Sequence, residues 1–294
     1  MTLLAPSHGL SPEGTKKGRL QRAALAILRQ HEEAHALPTS IRFLYYELEQ
    51  LGVVSKSRTG SRRPDQDLQE AVTYLREAGV VPWGWIEDDT RTLHEWECAP
   101  SVAQFLLDAV DYARIDPWLE GVRPVILTES RATGGVLARG IAAEYLCPVA
   151  ATNGQAGGFL VTKVAPLLKE EETRVLYVGD FDLSGSQIEE NTRSVLERHA
   201  GRVFDQDTWE RVAITEVQAK DLRARGIQPI EKNDRRYKGG FRHGAYEAEA
   251  LGQETVEHLL RDRLDQLLPE PLITLQHRQE HERAALEELL QRHV

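Results

Sequence analysis

The chain has 294 residues, of which 41% are hydrophobic and 28% charged, so it is long enough for two domains of ordinary size. Its formal net charge of −10 argues against nonspecific nucleic-acid affinity over the whole surface. No apolar run approaches the length of a membrane span, and the two cysteines lack a CxxC spacing, which is typical of the reducing cytoplasm.

The N-terminal third has the pattern of a small helical module. Residues 1–17 predict a loose arm, and apolar residues at helical spacing predict helices over 19–31, 41–51 and 64–78. Residues 79–86 resemble a strand pair or wing. Helices followed by a short β-wing suggest a winged-helix DNA-binding module.

The second of these helices carries a candidate nucleophile. Tyr45 joins the edge of its apolar stripe, whereas Tyr46 lies off the stripe and four residues after Arg42. We therefore expect Arg42 and Tyr46 to touch on an exposed face. A guanidinium beside a phenol favours the phenolate, which is a nucleophile. The alternative is a surface tyrosine that merely packs on its neighbours.

Acidic residues follow two short apolar runs that predict buried strands. Residues 122–129 end in Glu129, and Asp180 and Asp182 come directly after the run 175–178. In a parallel sheet with right-handed crossovers, neighbouring strand ends share one edge, so the three acids should meet. Carboxylates this close repel one another unless a cation such as Mg²⁺ lies between them. The alternative is that one aspartate caps the next helix and the other is solvated.

The remaining pattern alternates strands with helices. Two capping boxes could begin the helix after Asp182, one at Ser184 with Gln187 and one at Ser186 with Glu189. Further strands are expected over 147–152 and 212–215, and further helices over 139–145, 216–225, 253–268 and 272–294.

Local basic clusters could contact DNA despite the acidic net charge. Each is also compatible with an ordinary solvated face. The residues that we assign to DNA binding are Lys56, Arg58, Arg62, Arg63, Lys232, Arg235, Arg236 and Lys238.

The order of these pieces resembles the topoisomerase VI A subunit and its meiotic double-strand-break relatives, with smaller bacterial and phage members. That family places an Arg-x-x-Tyr-Tyr segment on a winged-helix domain, here Arg42-Phe-Leu-Tyr-Tyr46. A Toprim domain follows, with a Glu ending one strand and Asp-x-Asp ending a later one, here Glu129 and Asp180-Phe-Asp182. Relatives also have an acid before an Ala-Leu pair, where this chain has Glu247 and Glu249. The usual Pro-Tyr-Gly after Asp-x-Asp is replaced by Leu-Ser-Gly.

The resemblance implies an α/β and α+β multidomain fold. Its expected parts are an arm over 1–17, a winged-helix domain over 18–113, a linker over 114–121, a Toprim domain with a Rossmann-like parallel sheet over 122–268 and a C-terminal helix over 269–294.

It also implies cleavage of double-stranded DNA by transesterification. Tyr46 would attack the phosphate, Arg42 would position or ionise it, and Glu129, Asp180 and Asp182 would hold Mg²⁺. In the family, the tyrosine of one subunit works with the acids of the other, so a homodimer in the cytoplasm, associated with the nucleoid, is expected. ATP-driven strand passage would require a separate ATPase subunit.

Two alternatives stay open. The chain could be a Toprim nuclease that hydrolyses DNA without using Tyr46, as in the nuclease subunit of Wadjet plasmid-defence systems. It could also be a non-catalytic DNA-binding or assembly protein, although the three acids argue against a retired site. The sequence does not decide between DNA and RNA, or between Tyr45 and Tyr46 as the nucleophile.

Overall fold

The structure is a computed structural model that describes residues 10–55, 65–87, 98–152, 157–170, 172–230 and 244–292. A four-stranded parallel sheet forms the centre of the molecule. Its strands are β3 (Arg123–Thr128), β4 (Val149–Ala151), β5 (Thr173–Val178) and β6 (Trp209–Ala213), and they lie in the order β4-β3-β5-β6.

Helices and short segments surround the sheet. In the described residues none of these helices is both long and apolar enough to cross a membrane. The α-helices are α1 (Lys16–Glu33), α2 (Ile41–Gln50), α3 (Gln66–Glu77), α4 (Val102–Val110), α5 (Arg131–Arg139), α6 (Ile141–Tyr145), α7 (Gly157–Phe159), α8 (Leu183–Ala200), α9 (Glu216–Ala224), α10 (Gln253–Leu267) and α11 (Leu272–Gln291). A 3₁₀ helix over Ala248–Leu251 precedes α10.

Both faces of the sheet are buried. Successive residues of β3 and β5 point to opposite sides of the sheet, so their apolar side chains enter two different cores. Val125 and Val175 enter one hydrophobic core. Ile126 and Leu176 enter the other, which also contains the apolar side chains of α1, α2 and α3. Burying each such side chain contributes about 1.5–3 kcal/mol. One continuous core therefore attaches the N-terminal helices to the sheet.

The parallel α/β arrangement is confirmed, but the strand pair expected over 79–86 is wrong. A 3₁₀ helix, Trp83–Trp85, occupies this stretch after Pro82. The short strand β2 (Ile86–Glu87) then pairs in parallel with β1 (Thr39–Ser40), which precedes α2. Parallel pairing to a distant segment is a tertiary contact that a local hydrophobic pattern does not contain.

The helix expected over 139–145 corresponds to α6 (Ile141–Tyr145), and α5 precedes it from Arg131, where the Ser130 side chain caps the helix. The predicted start of the helix after Asp182 is wrong. Helix α8 begins at Leu183 with Asp182 as its N-cap, so neither serine capping box forms. The Asp182 carboxylate accepts a hydrogen bond from the Gly185 amide at 2.7 Å, which satisfies one of the unpaired amides of the first turn.

The turn between β5 and α8 is tightly packed at Gly185. A Cβ atom at this position would overlap the backbone carbonyl oxygen of Asp180 and lie 3.3 Å from the Asp180 Cβ. Glycine is therefore required where the start of α8 approaches the end of the strand.

We expect Gly185→Ala to lower the free energy of unfolding by about 1–3 kcal/mol, because the added methyl group overpacks this turn. The matched control is Gly158→Ala in α7, where a Cβ would meet nothing within 4 Å. That change should be neutral or slightly stabilising. Urea unfolding of both variants measures the difference, and equal stabilities would contradict the close approach at Gly185.

Candidate functional site

Two of the predicted acids lie side by side at the carboxyl edge of the sheet. The Glu129 amide donates to the Val178 carbonyl at 3.1 Å, which continues the pairing of β3 with β5 past the strand ends. The Asp180 amide donates to the Glu129 carboxylate at 3.2 Å. The expected meeting of these strand ends is confirmed for Glu129 and Asp180.

A distant segment brings two further acids to this edge. Phe181 and Tyr246 form an antiparallel bridge, with amide-to-carbonyl distances of 2.8 and 3.1 Å. One step further, the Ala248 amide donates to the Asp180 carboxylate at 3.0 Å. Glu247 and Glu249 flank this amide and are thereby held beside the strand ends.

Glu249 is the most enclosed acid of the group, with 0% of its surface exposed. One of its oxygens, Oε1, accepts a hydrogen bond from the Thr133 hydroxyl at 2.7 Å. The other, Oε2, is buried without a hydrogen-bond partner. An unpaired carboxylate oxygen in such a place is costly unless a positive group lies near it.

Arg42 supplies that positive charge from α2. Its Nε lies 2.9 Å from Glu249 Oε1, and its Nη2 lies 3.2 Å from Glu247 Oε1. Burial alone would lower the pKa of Arg42, but Glu249, Glu247 and Asp180 together raise it above its ordinary value. The guanidinium is therefore held among carboxylates.

Two of the acids, Asp180 and Glu247, have a raised pKa. Burial, followed by the negative charges of Glu249 and Glu129, raises the pKa of Asp180 to about 7, against the opposing effects of the Ala248 amide and Arg42. Burial also raises the pKa of Glu247, which Arg42 partly offsets. The cluster thus holds more negative charge than one guanidinium neutralises.

Asp182, the third predicted metal ligand, has a structural task. It is 1% exposed, and one carboxylate oxygen accepts the Gly185 amide as the cap of α8. This is the capping role that the sequence left open for one of the two aspartates. The other half of that alternative is wrong, because Asp180 contacts Glu129 and Ala248 rather than solvent alone.

The expected exposure of Tyr46 is wrong. Tyr46 is 5% exposed and Tyr45 is 6% exposed, and both belong to the core that α1–α3 share with the sheet. Their rings meet edge to face with centroids 5.8 Å apart. Burial, with the negative charge of Glu49 nearby, raises the pKa of Tyr45 to about 12. Tertiary packing therefore buries the face of α2 that the helical pattern predicted to be exposed to solvent.

Arg211 of β6 fixes the turn that carries Asp180. Its Nη1 donates to the carbonyls of Gly179, Asp180 and Ile214 at 3.1, 3.2 and 3.0 Å, and its Nε donates to Glu189 at 2.6 Å. Neither Arg211 nor Glu249 was predicted to have a role in the site. Charged residues inside the short buried strand Trp209–Ala213, and the acid before Ala250-Leu251, were the available signals.

All eight basic residues assigned to DNA binding lie outside the described residues: Lys56, Arg58, Arg62, Arg63, Lys232, Arg235, Arg236 and Lys238. The described chain stops at Ile230 and resumes at Gly244, and Ile230 forms an antiparallel bridge with Ala245. The two ends of the second basic segment are thus tethered next to the bridge between Phe181 and Tyr246.

The chemistry of the cluster fits a hard divalent cation, which binds oxygen ligands and favours sites with excess negative charge. The arrangement of the side chains is different. Over the part of the chain that the structure describes, no group of three or more His, Cys, Asp or Glu side chains is placed to hold a metal ion. Two carboxylates, those of Glu247 and Glu249, contact the guanidinium of Arg42 instead.

Comparison of the chain with protein-family models, with curated proteins and with solved structures found no match. The resemblance to the topoisomerase VI A subunit rests on short motifs and on their order along the chain, and it stays a prediction. The function of the chain is therefore inferred chiefly from the geometry of the acidic cluster.

The raised pKa of Asp180 predicts a pH dependence of stability. Between its ordinary value of 3.8 and about 7, the folded chain binds a proton that the unfolded chain has lost, so the free energy of unfolding falls as the pH rises. We expect Asp180→Asn to remove this loss, so its stability relative to wild type should rise by about 2–4 kcal/mol from pH 4 to pH 7. Urea unfolding measures the difference. Asp207→Asn, on an exposed turn, controls for loss of a surface carboxylate, and parallel curves for Asp180→Asn and wild type would refute the shift.

The capping role of Asp182 predicts a graded effect of substitution. Asp182→Ala should lower the free energy of unfolding by about 1 kcal/mol, because an amide of α8 loses its acceptor. Asp182→Ser keeps an acceptor and should restore most of that loss. Chemical denaturation compares the variants, and a serine variant as unstable as the alanine variant would show that Asp182 does more than cap the helix.

Proposed function

We propose that this chain is a metal-dependent enzyme that cleaves phosphodiester bonds of double-stranded DNA, using Glu129, Asp180 and Glu249 to hold Mg²⁺. The observation that carries the proposal is the convergence of three carboxylates at the carboxyl edge of a parallel sheet, where α/β proteins commonly bind ligands. Burial, followed by the negative charges of Glu249 and Glu129, raises the pKa of Asp180, and this concentration of negative charge favours a cation among the acids. Glu129, Asp180 and Glu249 would hold the cation, which would supply stabilisation of the charge that develops on the phosphate.

DNA as the substrate is inferred from the resemblance and from the basic residues of the sequence. Residues 231–243, which include Lys232, Arg235, Arg236 and Lys238, lie outside the described residues, but the chain on either side of them pairs through Ile230 and Ala245, next to the bridge of Tyr246 with Phe181. Lysines and arginines on such a segment neutralise phosphates and position a duplex. The winged-helix assignment of residues 18–113 and the Toprim assignment of residues 122–268 belong to the same proposal.

The geometry favours water as the nucleophile. Tyr46 and Tyr45 are almost fully buried, so neither phenol is presented to a phosphate, and burial raises the pKa of Tyr45. In hydrolysis, water attacks the phosphorus, the bond to the leaving oxygen breaks, and no covalent link to the protein forms. Arg211 and the Ala248 amide keep the Asp180 turn in place on two sides.

Transesterification by Tyr46 is the second candidate, and one observation favours it. Arg42, one helical turn before Tyr46, already contacts Glu249, so the helix that carries the tyrosine adjoins the acids. In this reaction the phenolate oxygen attacks the phosphorus and the 3′ oxygen of DNA leaves, which produces a phosphotyrosyl link. A homodimer would then be expected, and a separate ATPase subunit would be needed for strand passage.

A supercoiled-plasmid assay with Mg²⁺ or Mn²⁺ tests both candidates. We expect wild type to produce nicked or linear DNA, and Glu129→Gln and Asp180→Asn to reduce the rate about 100-fold or more, because each removes a carboxylate from the cation site. Asp207→Asn is the surface control. Unchanged cleavage by Glu129→Gln would contradict the metal site, and absence of cleavage by wild type would favour a binding or assembly protein.

Detergent quenching with and without protease separates the two nucleophiles. Hydrolysis predicts products that migrate identically with and without protease, and a Tyr46→Phe variant that cleaves like wild type. Products that enter the gel only after protease treatment, and that disappear in Tyr46→Phe, would establish the tyrosine reaction instead.

A further inference from the structure

We propose that Arg42 is an internal substitute for the cation, and that a divalent metal ion must displace it from Glu249. The inference rests on the proposed metal site and concerns how that site is regulated. In the metal-free protein, α2 would hold the acids together, and metal binding and the contact of Arg42 with Glu249 would exclude each other.

The first support is that Arg42 uses the carboxylates that a cation would need. Its guanidinium lies within ion-pair distance of both Glu249 and Glu247, and it also interacts with Asp180. A second positive charge within about 4–6 Å would repel it strongly in a partly buried site. The cation and Arg42 therefore compete for the same negative charge.

The second support is that the contact with Glu249 is an ion pair without good hydrogen-bond geometry. The Arg42 Nε–H is buried and not directed at an acceptor, although Nε lies 2.9 Å from Glu249 Oε1. Glu249 Oε2 is likewise buried without a hydrogen-bond partner, in a side chain that is 0% exposed. The contact therefore depends on charge rather than on a directed hydrogen bond, so it is one that a stronger cation can replace.

The third support is that the acids have the chemistry of metal ligands without the arrangement of metal ligands. The cluster has the oxygen donors and the excess charge that suit a hard cation, yet the acids of the described segments are not grouped as metal ligands. The guanidinium of Arg42, paired with Glu247 and Glu249, accounts for both facts, because a planar group that forms ion pairs neutralises carboxylates without gathering them as ligands of one ion.

Displacement of Arg42 has a consequence for α2. Arg42 lies in the first turn of this helix, which packs on Ala248–Leu251, and Tyr45 and Tyr46 follow within the next turn. Coupling between two ligands of one site is reciprocal, so a metal ion that weakens the Arg42 contact must itself bind more tightly where that contact is absent.

The test is calorimetric titration of Mn²⁺ and Mg²⁺ into full-length wild type, Arg42→Gln and Arg225→Gln. Arg225 is an exposed arginine paired with Asp221 at 3.6 Å, so its variant matches the loss of one positive charge far from the acids. We expect Arg42→Gln to bind the metal about tenfold more tightly than wild type and Arg225→Gln to bind it like wild type.

Thermal unfolding provides a second measurement that does not depend on activity. Arg42→Gln should melt at a lower temperature than wild type without metal, because Glu249 loses its counter-charge, and saturating Mg²⁺ should remove most of that difference. If the variant is unfolded without metal, it should fold as the cation is added, and failure to do so would count against the inference.

The outcomes separate the two proposals. If wild type binds the cation but Arg42→Gln binds it equally or more weakly, Arg42 is not a substitute for the metal ion, and the metal site itself still stands. If neither protein binds a divalent cation, the metal-dependent function fails, and the inference about Arg42 fails with it.

Discussion

The structure depends on the neutralisation of one fully buried carboxylate. Glu249 has no access to solvent, so its charge requires a partner within the protein, and Arg42 together with the Thr133 hydroxyl provides it. This requirement joins three distant parts of the chain: α2, the first turn of α5 and the segment before α10. Burial and, after it, the negative charge of Glu249 raise the pKa of the neighbouring Asp180.

The position of Arg42 in turn depends on how α2 is packed. Phe43, Leu44 and Leu48 anchor the helix in the core shared with the sheet, which directs Arg42 towards the acids. The same packing encloses Tyr45 and Tyr46. One helix orientation therefore brings a guanidinium to the carboxylates and withholds the phenols from solvent.

The turn after β5 is held more firmly than its length suggests. Arg211 binds three of its neighbouring carbonyl groups, the Ala248 amide binds the Asp180 side chain, and Asp182 caps the helix that follows. Side chains that are fixed from several directions keep a reactive group in place at little further entropic cost. The turn that carries Asp180 is thus held by several hydrogen bonds, whereas Arg42 is held at the acids by charge, and we propose that a cation can replace it there.

Local pattern was sufficient for the parallel α/β core. The apolar runs that precede Glu129 and Asp180 predicted two neighbouring strands, and parallel pairing places the carboxyl ends of these strands on one edge of the sheet. Tertiary packing decided the rest. The burial of Tyr46 depends on which helices cover α2, and the partnership of Arg42 with Glu249 joins residues about 200 positions apart, which no helical or strand period can encode. Periodicity specifies which face of an element is apolar, whereas the partner of a buried charge is determined only when the elements pack together.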